Sequence, residues 1–257
     1  MKNRWLLASL CCALPLLCFA PASRSRGQAL PSVAASNAFP ALSAEASGDL
    51  LMARGHYLDA INAYSQAPPS AVLWNKTGVA WDHLAGIAQA KQNYEHALAL
   101  RPDYPDALNN LGSAWFEMKN YRKALECYQR AFALDPHSAV IAANLGTTDF
   151  ALGRFDEGSR AYHTAWQLDP SALDFDAPHL DQGPTSKRAR AHRDFCLAEL
   201  FAAQQIDSRA IDYLRRAFYE GFHNWKRLMR DPAFAHLRQT PEFARLMIGP
   251  GPGPGRA

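Results

Sequence analysis

The stretch PDALNNLGSAWFEMKNYRKALECYQRAFALDPHS, residues 105–138, decides the fold because its pattern recurs with a period of 34 residues. Copies lie immediately before and after it, and five residue types keep the same register through all three. The aligned triplets are Gly78, Gly112 and Gly146; Tyr94, Tyr128 and Tyr162; Ala97, Ala131 and Ala165; Leu100, Leu134 and Leu168; and Pro102, Pro136 and Pro170. Chance does not align five triplets in one chain, so the sequence predicts a stacked array of one supersecondary unit.

Each copy contains two blocks with helical spacing, so each unit is predicted to be a pair of helices. In the first block Leu111 precedes Gly112, and the glycine allows the second helix to approach closely. In the second block Tyr128 and Ala131 share one face. Pro136 ends the unit because proline is disfavoured inside a helix. One pair cannot bury its own apolar face, so we expect stability to come from stacked neighbours.

The spaced Leu-Gly, Tyr, Ala and Pro positions resemble the tetratricopeptide-repeat (TPR) family. The match is close in residues 71–104 and 105–138 and good in residues 139–172, where Asp149 replaces an aromatic residue and Gly158 replaces an alanine. We expect Gly158 to destabilise its helix by roughly 1 kcal/mol relative to alanine. The resemblance implies an all-α fold: a right-handed TPR α-solenoid of about five helix pairs with short C-terminal capping helices.

Weaker units flank the three clear copies, and composition sets the remaining boundaries. Upstream, Pro68 and Pro69 close a first unit four residues early. Downstream, a stretch with Pro178 and Pro184 has no helical period, which indicates an inserted loop. The end of the chain resembles the C-terminal segment of many bacterial TPR proteins, followed by a Gly-Pro tail that cannot hold a helix. The predicted segments are a signal peptide (1–22), a flexible linker (23–40), TPR repeats 1–4 (41–170), an inserted loop (171–190), a fifth helix pair with a C-terminal cap (191–247) and a disordered tail (248–257).

The N-terminus has the layout of a secretory signal. Lys2 and Arg4 precede an apolar stretch at residues 5–20, and small residues follow it. Cleavage is expected after Ala22, with Ala29 as a second choice. An uncleaved membrane anchor is the alternative, although the stretch is shorter than the roughly 20 residues that a membrane-spanning helix needs. After cleavage we expect an exported protein without stable membrane insertion.

Composition and motifs argue against several functional classes. The net charge of +3 is too small to favour a nucleic-acid surface, and the basic group at residues 187–193 is interpreted as the solvated start of a helix. No histidine pair has metal-ligand spacing, and no nucleophile or phosphate-binding motif is present. Cys127 and Cys196, which follow the signal, are predicted to be unbridged helix residues. We therefore predict no catalysis, no cofactor and no bound metal.

The TPR resemblance implies a concave groove lined by the first helix of each pair, where known members bind peptides. Helical spacing selects the residues that face it. The predicted groove residues are Asn75, Val79, Asp82, His83, Asn109, Asn110, Ser113, Phe116, Glu117, Ala143, Asn144, Thr147 and Phe150. The wider inward set adds Leu42, Glu45, Asp49, Met52, Val72, Asp106 and Val140. Asn110 and Asn144 resemble a TPR asparagine that often contacts the ligand backbone, and Phe116 and Phe150 are the predicted apolar anchors.

The charge of the inward set favours a neutral or basic partner segment. Its carboxylates are Glu45, Asp49, Asp82, Asp106 and Glu117, and it contains no lysine or arginine. The alternative is that exposed helix positions are often acidic without any role in binding. TPR proteins that hold a C-terminal carboxylate use basic residues on this face, so that clamp is predicted to be absent.

The leading hypothesis is an exported TPR scaffold or adaptor, bacterial and either periplasmic or secreted, that binds a polypeptide segment in its groove. The bacterial setting rests on the C-terminal segment. One alternative is a structural subunit of an envelope or secretion assembly that packs through its convex face and self-associates. Another is an enzyme with an unrecognised site. The sequence leaves open whether the loop at 171–190 occupies the groove.

Overall fold

The computed structural model describes residues 42–173 and 186–248. These residues form α-helices joined by turns and three short 3-10 segments, and no strand occurs among them. The α-helices are α1 (Ala44–Ala53), α2 (Tyr57–Ser65), α3 (Ala71–His83), α4 (Ile87–Leu100), α5 (Pro105–Glu117), α6 (Tyr121–Leu134), α7 (Ala139–Ala151), α8 (Phe155–Leu168), α9 (Lys187–Ala203), α10 (Asp207–Tyr219), α11 (Trp225–Arg230) and α12 (Pro241–Ile248). The predicted signal peptide and linker, and most of the predicted loop and tail, lie outside the described residues.

Consecutive helices pack as five pairs in this part of the chain, α1/α2, α3/α4, α5/α6, α7/α8 and α9/α10. The turn inside each pair has one residue with a positive φ angle, for example 56° at Ala85, 60° at Lys119 and 77° at Gly153. The N–H of the next residue donates to a carbonyl five positions back, as Gly86 does to Trp81 at 2.8 Å. This hydrogen bond closes the C-terminus of the first helix, so one turn geometry shapes every pair.

A glycine and a tyrosine lie at the centre of each of the first four pairs. The ring of Tyr128 covers Gly112, where a Cβ atom would be only 2.7 Å from ring carbon Cε1. In the other pairs Gly48, Gly78 and Gly146 lie under Tyr64, Tyr94 and Tyr162. All four rings are buried. The predicted close approach at the glycine is confirmed, and the group that makes it is the tyrosine ring.

The first repeat is shortened, as Pro68 and Pro69 predict. Helix α2 has 9 residues, whereas α4, α6 and α8 have 14 each. The missing turns leave an apolar cavity of about 350 Å³ between α2, α3 and α4, with Trp74 and Trp81 in its wall.

Gly158 has a packing role that the sequence did not indicate. A Cβ atom there would lie 3.0 Å from two ring carbons of Phe150 and 3.1 Å from the carbonyl oxygen of Gly146. Alanine would have to displace a buried ring, which offsets its higher helix propensity. The roughly 1 kcal/mol that alanine would gain in helix propensity at this site is therefore opposed by the shift that its methyl group requires of the Phe150 ring.

The structure also corrects the limits of the predicted loop and tail. Pro170–Leu173 is a 3-10 segment in which Leu173 is fully buried, and α9 begins at Lys187, inside the predicted loop at 171–190. Helix α12 extends to Ile248, the first residue of the predicted tail.

The core of the fifth pair contains both a buried ion pair and stacked aromatic rings. Arg193 is buried and its guanidinium group lies 2.8 Å from the Asp194 carboxylate, which corrects the interpretation of residues 187–193 as fully solvated. Phe195 stacks on Phe222 with ring centroids 4.0 Å apart. The segments after α10 cover this end with Leu228, Phe234, Leu237 and Phe243, all of which are buried.

Candidate functional site

One cavity of about 570 Å³ crosses three neighbouring helix pairs. Its walls come from α3, α5 and α7, the first helices of their pairs, with one residue from α6. The lining residues are Val79, Asp82, His83, Asn109, Asn110, Ser113, Phe116, Glu117, Tyr128, Val140, Asn144 and Thr147. The cavity therefore lies on the helix faces that the 3.6-residue period marks as inward-facing.

The structure brings ten of the thirteen predicted groove residues together in this cavity. The other three, Asn75, Ala143 and Phe150, are buried and do not line it. Phe150 is 1% exposed and packs against Tyr162 with ring centroids 5.3 Å apart. Because this ring belongs to the core that α7 and α8 share with α9, its predicted role as an apolar anchor is wrong.

Apolar residues other than the predicted anchors also line the cavity. Phe116 lines the cavity, but it is only 8% exposed and its ring packs against Tyr121 at 4.9 Å. Val140, which belonged only to the wider inward set, is 44% exposed. Tyr128 was not among the predicted groove residues, yet it lines the cavity. Its fixed place beneath the first helix in every repeat is the signal that could have found it.

A ladder of amide contacts joins the first helices beside the cavity. Asn110 Nδ2 donates to Asn75 Oδ1 at 3.1 Å, and Asn144 Nδ2 donates to Asn109 Oδ1 at 2.9 Å. Both contacts join residues that are 35 positions apart, one repeat plus one residue. The ladder is therefore a product of the repeat, and it fixes the orientation of the side-chain amides along the wall.

The first repeat makes the same contact in ionic form. Lys76 Nζ donates to Glu45 Oε1 at 2.8 Å and to Asp49 Oδ2 at 2.7 Å. Lys76 and Glu45 are 31 positions apart, which is the ladder spacing of 35 reduced by the four residues missing from this repeat. The two carboxylates predicted for α1 are thus both ion-paired with Lys76, a residue that the inward set omitted.

The tyrosine hydroxyl groups bond the first helices at a second periodic position. Tyr128 Oη lies 3.0 Å from Ser113 Oγ, on the residue after the repeat glycine, and the fourth pair repeats this contact. In the second pair that position is Val79, which cannot form a hydrogen bond. Tyr94 donates instead to the Asp82 carboxylate, almost one turn further along α3.

The cavity is acidic because of Asp82 and Glu117. Burial raises the pKa of Asp82 to about 6; the hydrogen bond from Tyr94 acts in the opposite direction, and the negative charge of Glu117 raises the pKa further. No lysine or arginine is among the lining residues. His83, which also lines the cavity, stacks on Tyr57 with ring centroids 4.5 Å apart.

Elsewhere the described residues show little reactive chemistry. Cys127 and Cys196 are buried and unbridged, as predicted, and burial raises the pKa of the Cys127 thiol to about 11. Within residues 42–173 and 186–248, no three His, Cys, Asp or Glu side chains are grouped closely enough to hold a metal ion. Every helix described there is too short or too polar to cross a membrane.

Residues 105–138 match the tetratricopeptide repeat family, and the helix pairs around this segment repeat its geometry. The protein is therefore an all-α protein of the TPR fold, and the class that this fold defines is the protein-interaction scaffold. Among solved structures, "Crystal structure of MamA" is similar at 21% identity, covering 67% of this chain and 93% of that chain, with a TM-score of 0.48. "First TPR of Spaghetti (RPAP3) bound to HSP90 peptide SRMEEVD" is similar at 23% identity, covering 42% and 84%, with a TM-score of 0.40. No curated protein sequence matches the chain significantly.

Proposed function

We propose that this chain is an exported, non-catalytic scaffold that binds an extended polypeptide segment in the cavity between α3, α5 and α7. The observation that carries this proposal is the continuity of the cavity across three helix pairs. Packed helix axes lie roughly 8–10 Å apart, so a ligand that contacts both α3 and α7 spans roughly 16–20 Å. An extended segment of about five or six residues has this length.

The wall offers the two kinds of contact that a peptide requires. Val79 and Val140 provide apolar surface for side chains. The contact between the side chains of Asn109 and Asn110 is long, with Asn109 Nδ2 3.4 Å from Asn110 Oδ1. An asparagine amide has two donor hydrogens and an acceptor with two lone pairs. These amides therefore keep hydrogen-bonding capacity for the N–H and C=O groups of a bound backbone.

The charge of the cavity supports a neutral or basic partner segment. Asp82 and Glu117 would repel the phosphates of a nucleic acid, whereas they would attract lysine or arginine side chains. The carboxylates on α1 lie outside the cavity lining and are ion-paired with Lys76.

Export into a bacterial periplasm or medium is part of the proposal and is supported by the sequence at residues 1–22. N-terminal sequencing of the chain recovered from the expressing cells tests it. A mature chain that begins at Ser23 or Leu30 is expected. Recovery of the intact chain in the membrane fraction would support the anchor instead.

The binding proposal is tested by selecting ligands for the full-length chain from a displayed library of random peptides. We expect enriched peptides whose affinity, measured by calorimetry, is lost in Val140→Arg, because arginine would project into the cavity from an exposed position. Leu134→Arg is the matched control, since Leu134 is 46% exposed against 44% for Val140 and does not line the cavity.

Two outcomes would contradict groove binding. One is a library that yields no peptide, and the other is a peptide that Val140→Arg still binds. If the purified chain also self-associates, the structural-subunit hypothesis replaces the scaffold hypothesis.

A further inference from the structure

The repeat carries a large apolar side chain four positions after its tyrosine. In the second, third and fourth pairs this residue is Leu98, Phe132 and Trp166. Leu98 is partly buried and packs against the clusters that contain Ala107 and Leu108 of α5. The Trp166 ring meets the Phe201 ring of α9, with centroids 5.1 Å apart. This position therefore fills the junction between one helix pair and the next with one large side chain.

The first pair lacks this side chain. The residue four positions after Tyr64 is Pro68, which lies beyond the end of α2 at Ser65. The cavity of about 350 Å³ between α2, α3 and α4, which we call the junction cavity, is lined in part by Leu73, Trp74, Thr77 and Asn93. These residues lie 34 positions before Ala107, Leu108, Leu111 and Cys127, which belong to the clusters against which Leu98 packs. The junction cavity is thus the space that Leu98 fills one junction further along the chain.

Asn93 gives the junction cavity a polar group that the next junction lacks. Its side chain is only 9% exposed, and Cys127 holds the equivalent position in the third pair. Asn93 Nδ2 donates to the Gln89 carbonyl oxygen at 2.7 Å, which fixes the orientation of the amide. Among the residues that the structure describes, none donates a hydrogen bond to Asn93 Oδ1. A ligand that fills the cavity must bring a donor for this oxygen, because an acceptor that is buried without a donor costs free energy.

We propose that the junction cavity binds a tryptophan side chain of a partner polypeptide, with the indole N–H group donating to Asn93 Oδ1. The fourth pair fills the equivalent position with a tryptophan of the chain itself, Trp166. Trp74 and Trp81 in the wall offer aromatic surface against which an indole ring can pack. The volume of about 350 Å³ lies near the lower end of the range for ligand pockets, about 300–1,000 Å³, so it suits one large side chain.

The polar groups of the junction cavity favour tryptophan over the other aromatic residues. Phenylalanine has no donor for Asn93. Tyrosine has a donor, but it also brings an oxygen that accepts hydrogen bonds, and the hydroxyl hydrogens of Ser65 and Thr77 already go to backbone carbonyl groups. The indole group has one donor and no acceptor, so it leaves no polar atom of its own unpaired.

This site is separate from the cavity between α3, α5 and α7. In the part of the chain that the structure describes, the two cavities share no lining residue. The inference therefore goes beyond the proposed function, and it can fail while the proposed function holds.

The test is an NMR titration of the ¹⁵N-labelled full-length chain with N-acetyl-tryptophanamide. We expect saturable shifts of the indole N–H signals of Trp74 and Trp81, assigned with Trp74→Phe and Trp81→Phe. The signal of Trp225, which does not line this cavity, should not shift. The 1-methyl-tryptophan analogue lacks the N–H donor and should bind about fivefold more weakly, the factor typical of one hydrogen bond. N-acetyl-phenylalaninamide should be weakened by at least the same factor.

Two variants assign the effect to the junction cavity. Asn93→Cys removes the acceptor and introduces the residue of the third pair, so the tryptophan and 1-methyl-tryptophan probes should bind to it within about twofold of each other. Val140→Arg changes only the other cavity and should bind the tryptophan probe like the parent. Circular dichroism and urea unfolding verify that both variants are folded, and the comparison of the two probes on the parent does not depend on either variant.

Several results would overturn this inference and leave the proposed function standing. One is the absence of a saturable shift at Trp74 and Trp81, and another is equal binding of the two tryptophan probes to the parent. Loss of probe binding in Val140→Arg would place the probe in the other cavity. If the two signals changed with chain concentration before any probe was added, a second copy of the chain would be the occupant. If the probe bound only to Phe39→Ala, the occupant would be the chain's own segment before α1.

Discussion

The pairing of Gly112 with Tyr128 predicts a substitution whose effect changes sign with its partner. In the parent, a Cβ atom at position 112 would lie 2.7, 2.9 and 3.0 Å from three carbons of the Tyr128 ring. The ring cannot move aside easily, because it is buried and its hydroxyl group is bonded to Ser113. Gly112→Ala should therefore overpack the centre of the third pair.

The magnitudes follow from two opposing effects. Overpacking a core typically costs about 1–3 kcal/mol, and the close distances place this site at the upper end. Alanine gains about 1 kcal/mol over glycine in a helix, so the net loss in the parent is about 2 kcal/mol. Tyr128→Ala alone should cost about 3–5 kcal/mol through the cavity left behind. In that background Gly112→Ala should stabilise by about 1 kcal/mol, which gives a coupling energy of about 3 kcal/mol.

Urea unfolding followed by circular dichroism at 222 nm measures all four members of this cycle. Tyr128→Phe is the control, because it removes the hydroxyl group and keeps the ring, so Gly112→Ala should remain destabilising there. An equal loss from Gly112→Ala in the parent and in Tyr128→Ala would show that the ring does not exclude the methyl group, and the register of the third repeat would be refuted.

Three further predictions concern backbone strain, pH and thiol burial. Lys119→Gly should raise the free energy of unfolding by about 1 kcal/mol, and Gly153→Ala should lower it by a similar amount. Both positions have a positive φ angle, which favours glycine. Changes of the same sign for the two variants in urea unfolding would contradict this. Lowering the pH from 7 to 5 should raise the free energy of unfolding of the parent relative to that of Asp82→Asn. The reason is that the folded state takes up a proton at Asp82 below about pH 6, whereas the carboxyl group in the unfolded state has its ordinary pKa of 3.8. If the difference in unfolding free energy between the two proteins did not change with pH, Asp82 would not be desolvated. Peptide mass spectrometry after iodoacetamide treatment should find Cys127 and Cys196 unmodified in the native chain and modified in denaturant. Burial raises the pKa values of the two thiols to about 11 and about 12, so little reactive thiolate is present in the native chain. Rapid labelling of the native chain would contradict the burial of these cysteines.

The features that the sequence predicted well depend on the period alone. Gly112 and Tyr128 belong to triplets spaced by 34 residues, and one packing solution repeats wherever both residues recur. Most of the cavity lining was predictable for the same reason, because the inward face of a regular helix follows from its residues per turn. No contact between distant segments is needed for either inference.

The features that the sequence missed depend on how one pair differs from the next. Phe116 and Phe150 occupy equivalent positions, yet only Phe116 lines the cavity. Phe150 lies deeper because Gly158 leaves room for its ring and because α9, beyond the predicted loop, packs against α7 and α8. Lys76 was missed because its contact with Glu45 crosses the shortened repeat, where the ladder spacing changes.

These differences also explain why the cavity lies in the middle of the array. Toward the N-terminus, Lys76 joins α3 to the carboxylates of α1, so those charged groups are already paired within the chain. Toward the C-terminus, the ladder stops at Ala143, whose side chain cannot form hydrogen bonds and is buried in the core shared with α9. Between these ends, α3 and α5 contribute Asp82 and Glu117 to the cavity lining. The ladder position is thus occupied by the ion-paired Glu45 in the first repeat, by an asparagine in the middle repeats and by Ala143 in the fourth. Because of these side-chain differences, a repeat with uniform backbone geometry forms a distinct site in its middle.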